Sequence, residues 1–449
     1  MTKQHTKIIN AIHDVLANEL KIANINAFSL SARLNEDLYL DSVLVLQILV
    51  SLELKLGIDV PDDALNSADF ETVETLCNFL SSRILNVTDE ITVSSSTSGI
   101  PEKQQTEEFE DIKVHCFVSC LCEAIKANEQ VDHRPFYFGV WDADIVIGKN
   151  YCINYHAEGL NHDFFRYWYE RLYGVEVRSW YQEKLSKSDN ILLLENFLAN
   201  KTPTQNIMVM LDMFRLPERE NKFNQNPFPH YVILENSDEA TKLMMFDPDF
   251  RWEGLQDKKQ VMHAIASDAV AGGYYFDSEH IKPVSPLAIK DYFLACLNLD
   301  KNPMTDAVRL IIKHHLAKDH NVSPADLPQA LTQLPVLAIR KYAYEHGLAF
   351  FMLALDVNFD EFEDWCDVIE ALVSTYKHIQ FRAIKIAKSV TEGKDEPYLI
   401  SRLTNEIDEL LAEQDKREFA IKERLQSLFV QWQKQVGLIT QQTISEVYL

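Results

Sequence analysis

Residues 34–65 read "LNEDLYLDSVLVLQILVSLELKLGIDVPDDAL", a single hydroxyl set at the head of an aliphatic run. The polar approach offers Asp41 and Ser42 as cap candidates for a helix. Downstream, Val43, Leu46, Ile48 and Leu52 recur at roughly helical spacing, so Ser42 stands exposed where the helix begins. Taken alone, an aspartate and a serine here read as an N-cap. The stretch is followed by "FETVETLCNFLSSRI" (70–84), an amphipathic helix that closes the first region. Residues 1–84 hold six basic and twelve acidic side chains. The acids Glu36, Asp37, Asp41 and Glu53 flank the serine.

Composition bounds the rest. At 449 residues the chain has room for two or three domains, and 47% hydrophobic residues are enough for a core in each. Only 12 glycines among many Leu, Glu and Lys favour helix over an all-β fold. The formal net charge of −25 repels phosphate backbones, so nucleic acid is not an expected partner, and cationic or amine partners are favoured. The N-terminus lacks the apolar core of a signal peptide, and the longest apolar run, "LAFFMLAL" (348–355), is too short to span a bilayer. Seven cysteines, an odd number in a large chain, do not make a disulfide framework. The expected location is the cytoplasm, with no membrane partner.

Three regions follow. "NVTDEITVSSSTSGIPEKQQTEEFE" (86–110) is rich in Ser, Thr and acid, without a core-forming pattern, and reads as a flexible linker. A coil of this length spans about 25–30 Å on average. Residues 111–290 mix a helical pattern, "CFVSCLCEAIKAN", with strand-like runs, "NIMVMLDMF", "HYVILENS" and "TKLMMFDPDF". The last two flank a turn and are expected to pair as a hairpin. From 291 onwards the pattern is helical, with Leu403, Ile407, Leu410, Ile421, Leu425, Leu428 and Trp432 near one face.

The middle region carries the second chemical constellation. "VHCFVSCLCEAI" puts Cys116 just before a helix, where the positive end of the dipole favours thiolate. His230 heads one strand of the expected hairpin, and Asp247 ends the next. A cysteine, a histidine about a hundred residues later and then a carboxylate is the papain-like order. Each residue also has a plain reading: a packing cysteine, a loop histidine and a turn-forming aspartate. Cys120 and Cys122 are rival thiols, and Cys120 lies one turn deeper along the helix. No Cys or His pair at zinc spacing accompanies these cysteines, and "DVNFDEFEDW" (356–365) lacks the glycine of a calcium loop, so no metal is expected. "KHHLAKDH" (313–320) reads as a solvated helix end.

Two resemblances build on these residues. Residues 1–84 resemble an acyl or peptidyl carrier protein along the whole domain, with Asp41-Ser42 at the position of the family's phosphopantetheine attachment site. The resemblance implies a 4'-phosphopantetheine arm, covalent on Ser42, and a phosphopantetheinyl transferase as partner. Residues 111–285 resemble the butirosin-type acyltransferases, which move an acyl group from a carrier protein to an amine. This resemblance is strongest around 206–254. By position it implies Cys116 as nucleophile, His230 as base and Asp247 as orienter. Asp212, in "LDMFRLP", matches a further position with a substrate or structural role. Papain-like enzymes carry a Gln some six residues before the cysteine, whereas position 110 here is Glu.

The expected fold class is multidomain, mainly α with α+β. It comprises a four-helix carrier domain (1–84), a flexible linker (85–110), a papain-like α+β domain (111–290) and a helical C-terminal region (291–449). The expected function is transfer of an acyl group from the Ser42 arm through Cys116 to an amine in specialised metabolism, such as aminoglycoside, polyamine or siderophore assembly. An acyl-activating ligase or synthetase would load the arm, and an amine-containing small molecule would accept. The alternatives are a thioesterase or cyclase and a non-catalytic carrier-docking scaffold.

Overall fold

A computed structural model describes residues 3–22, 24–40, 42–56, 58, 60, 70–86, 114–156, 160–216, 226–318, 321–391 and 397–439. Asp41, Glu110 and nearly all of the expected linker lie outside these. The chain divides into two compact units. One combines residues 1–111, 222–224 and 377–406, and the other holds 112–221, 225–376 and 407–449. Residues 377–406 were expected to belong with the C-terminal region alone.

The first unit contains α1 (Lys3–Asp14), α2 (Ser42–Leu56) and α3 (Val73–Asn86). Residues 61–69, where a fourth helix would fall, are outside the described residues. Ile8, Ile12, Val15 and Leu16 bury one stripe of α1 and the turn after it, and Val73, Leu76, Cys77 and Leu80 bury the matching stripe of α3. Thr72 and Thr75 exchange hydrogen bonds between side chains and backbone amides, fixing where α3 starts. The helix α2 behaves differently. Leu46, Ile48, Leu49, Val50, Ser51 and Leu52 are all buried, so it is covered around most of its circumference rather than along one stripe.

The second unit opens with α4 (Cys116–Lys126), followed by a short antiparallel pair, β1 (Val146–Ile147) and β2 (Ile153–Asn154), then α5 (Asp163–Tyr173), β3 (Arg178–Ser179) and α6 (Lys187–Ala199). Next come β4 (Gln205–Asp212), β5 (Pro229–Asn236), β6 (Lys242–Asp247), β7 (Trp252–Asp257), α7 (Lys258–Ile265) and β8 (Gly273–Asp277). The main sheet has the order β3-β8-β4-β5-β6-β7, antiparallel throughout. The central strands β4 and β5 are buried over six successive residues each, which is why they read as apolar runs rather than as alternation. The expected hairpin is β5–β6, with Ile233 opposite Phe246.

The remaining chain is helical: α8 (Pro286–Cys296), α9 (Pro303–Ala317), α10 (Leu327–Ala330), α11 (Leu334–Ala338), α12 (Ala343–Ala354), α13 (Phe359–Thr391) and α14 (Pro397–Gln435). On α14, Leu411 is fully buried and Leu410 only partly, a shift of one position from the expected face. His315 near the end of α9 is fully buried, its Nδ1 2.8 Å from the Ile311 carbonyl, whereas Lys313, Ala317 and Lys318 are exposed, so the helix end is solvated as expected except at this histidine. Among the described residues, no helix is long and apolar enough to cross a membrane.

Candidate active site

Three elements of the second unit meet around one thiol. His115 is extended and caps α4, and Cys116 is the first helical residue. The next turns are apolar: Phe117, Val118, Cys120, Leu121 and Ile125 are buried and hold the helix down. Two polar contacts fix its rotation. The Cys120 thiol donates to the Tyr231 carbonyl on β5 at 3.6 Å, and Ser119 Oγ donates to Asp249 Oδ1 at 2.8 Å. Cys116 itself remains partly exposed, as the helix start leaves it above the packed face.

His230 and Asp247 come together across the hairpin. The β5–β6 register, continued by one pair, sets Asp247 opposite Val232, so His230, two residues along, lies diagonally on the same face. His230 Nε2 is 2.9 Å from Asp247 Oδ1, and both side chains are buried. With Nε2 engaged by Asp247, Nδ1 is the ring nitrogen left for the Cys116 side chain, which helps to keep the imidazole protonated. Burial alone would push the His230 pKa down. The negative charges of Asp247 and Cys116 and their hydrogen bonds outweigh it, and hold the imidazole well above its ordinary value. Asp247 also accepts from the Phe250 amide, which pins the carboxylate at the strand end.

Asp212 belongs to a different network. It accepts from the Phe228 amide (2.9 Å), Ser267 Oγ (3.0 Å) and Arg215 Nε (3.2 Å). These bonds tie the end of β4 to the chain entering β5, one residue before the strand that carries His230. The rival thiols are buried: desolvation pushes Cys120 well above the usual thiol range, and Cys122 is inside the core. A separate acidic group adjoins the site. His115 Nε2 lies 3.1 Å from Asp144 Oδ2, and the Arg340 guanidinium is 3.7 Å from the same carboxylate. Burial would raise the Asp144 pKa, but the His115 bond and the nearby Arg340 charge bring it to about 2. Asp144 also lines a cavity of about 380 Å³ with Asp142, Asn161, Phe164, Phe165 and Cys296.

Sequence reasoning named Cys116, His230 and Asp247, which the fold gathers. It missed Asp249, two residues past Asp247, which could have been read as a helix-fixing acid in "FDPDF". It also missed His115, Asp144 and Arg340, whose grouping spans over two hundred residues and left no local signal.

Comparison with known proteins gives three family matches. Residues 10–80 match the phosphopantetheine attachment site family, 111–281 the DUF6005 N-terminal domain and 287–446 the DUF6005 C-terminal domain. A petrobactin synthase from Bacillus anthracis is 38% identical over 323 residues, which is 72% of this chain and 96% of the relative. The acyl carrier protein AsbD from the same organism is 34% identical over 71 residues, 16% of this chain and 78% of that protein. The carrier match brings with it a covalently attached 4'-phosphopantetheine, and so a phosphopantetheinyl transferase as partner.

Proposed function

The chain belongs to the petrobactin synthase family and carries a carrier domain on the same polypeptide, and from this premise we propose that it is an amide-forming acyltransferase of siderophore-type biosynthesis. The observation that carries the reading is the buried His230 imidazole held between Asp247 and Cys116. Ser42 is the attachment residue in this reading, and its position as the first residue of α2 fits an arm joined at a helix start. The arm supplies a terminal thiol on which an acyl group is presented as a thioester.

The protein's own groups then account for the steps. The Cys116 thiolate attacks the acyl carbonyl carbon, forming a new C–S bond as the donor C–S bond breaks. The His230 imidazolium gives its proton to the departing thiolate. In this reading, amides at the start of α4, which have no intrahelical acceptor, are available to stabilise the developing oxyanion. An amine next attacks the acyl-enzyme, His230 Nδ1 takes the amine proton, and release of the amide restores the thiolate–imidazolium pair. Asp247 orients the ring and balances its charge. A thiol at a helix start packed on an antiparallel sheet, with the histidine and acid on neighbouring strands, supports a papain-like arrangement. Asp212 serves in this reading as a structural clamp. The division into carrier (1–84), linker (85–110), acyltransferase (111–290) and C-terminal region (291–449) is part of the proposal, and the adjoining family matches at 281 and 287 support its middle boundary.

The test is single-turnover mass spectrometry of the full-length phosphopantetheinylated chain, loaded with candidate acids and offered polyamines and other amines. Amide formation that is lost in Cys116→Ala supports the reading. Release of free acid alone points to a thioesterase. Equal turnover in Cys116→Ala and the unmodified sequence refutes cysteine catalysis.

A further inference from the structure

The first unit buries α2 on more sides than its own helices require, and the extra cover comes from residues 377–391 of α13. Phe381 and Ile384 join the same buried cluster as Leu46, Leu49 and Leu52 of α2. Beside them, Lys385 Nζ reaches Glu53 Oε1 at 2.9 Å, and Lys388 Nζ reaches Glu19 Oε2 at 3.1 Å and also Ser51 Oγ. Phe381, Ile384, Lys385 and Lys388 are spaced i, i+3, i+4 and i+7, which is one continuous face of a helix. The face is thus two apolar residues flanked by two ammonium groups, and it meets an apolar helix flanked by carboxylates. Arg382 Nε bonds Glu406 Oε2 at 2.9 Å, bracing α13 against the start of α14 from the side.

We propose that this face of residues 377–391 is a carrier-docking surface, whose occupant is the chain's own carrier domain held by the helix that starts at Ser42. Charge complementarity selects the occupant: the carrier presents Glu19 and Glu53, and the docking face answers with Lys388 and Lys385. The two Bacillus anthracis relatives, an acyl carrier protein and a petrobactin synthase, are separate proteins, whereas this single chain is similar to both. The docking contact itself does not depend on the acyl-transfer reading. Its effect on transfer rate rests on that reading.

The test is a charge-swap cycle in the full-length holo chain: Lys385→Glu, Glu53→Lys and the double exchange. Hydrogen exchange of residues 42–56 and 377–391 reports docking, and single-turnover transfer reports its consequence. Each single reversal should speed exchange at both segments by about five- to tenfold, and the double exchange should restore most of the protection. Unchanged exchange in both single variants overturns the proposal. So does a double variant no better protected than the singles, which would signify a general loss of packing. If exchange follows the cycle while the wild-type chain transfers no acyl group, docking stands and the acyltransferase reading falls.

Discussion

Replacing Asp247 by Asn removes one buried charge and little else. The asparagine Oδ1 occupies the place of the acceptor for the Phe250 amide and for His230 Nε2, so the strand end keeps its bonds. What goes is the Coulomb term on the imidazolium. Two unit charges about 4 Å apart at an effective dielectric of about 20 attract by about 4 kcal/mol, an upper figure for this pair. Since each 1.36 kcal/mol is tenfold, the ceiling is about a thousandfold in rate, and a retained hydrogen bond brings the expected loss to about a hundredfold. The sign of the pH effect follows from the same balance. In wild type the raised His230 pKa keeps the imidazolium at pH 7, and it is lost only as pH climbs through that raised value. In Asp247→Asn, burial, already the largest single influence, is opposed mainly by Cys116, so the pKa falls and the proton leaves at lower pH. Single-turnover transfer gives the rate, and NMR titration of histidine-labelled protein gives the protonation state. A variant within threefold of wild type, with His230 still protonated over the same pH range, would refute the reasoning.

Three further outcomes are expected. Ser42→Ala should accept no phosphopantetheine when co-expressed with a broad-specificity transferase, as read by intact mass, while wild type gains one arm. Cys120→Ala should keep its transfer rate within about threefold, because the thiol faces the Tyr231 carbonyl inside the core, whereas Cys116→Ala should lose transfer. Asp212→Ala should lower unfolding free energy by about 2–4 kcal/mol in denaturant titration, since it leaves the Phe228 amide and Ser267 hydroxyl without their buried acceptor.

What the sequence made legible was local. The stripe of α3 and the start of α4 follow from residue spacing, and His230 and Asp247 could be paired because a single hairpin carries both. The burial of α2 was not legible: its second cover is supplied by Phe381 and Ile384, more than three hundred residues away, and periodicity does not report distant partners. The same limit explains Leu411 replacing Leu410, where packing rotated a long helix by one position. It also explains His315, which a polar-looking run concealed and the interior of α9 absorbed. The His115–Asp144–Arg340 group is the extreme case, assembled from three segments with no shared motif.

The hairpin register also bears on how this sequence could change over generations. A pleated strand flips every side chain to the other face for each residue of slip, and His230 and Asp247 share a face only because their pairing offset is even. The turn at 237–241 is exposed and polar, and surface turns ordinarily tolerate insertions and deletions well. Here a single added residue that shifted the pairing would turn the aspartate away from the histidine, while a change of two would bring it back to the same side. Descendants of this chain are therefore expected to vary that turn in steps of two, or to absorb an odd step as a bulge that leaves the pairs beyond it in place.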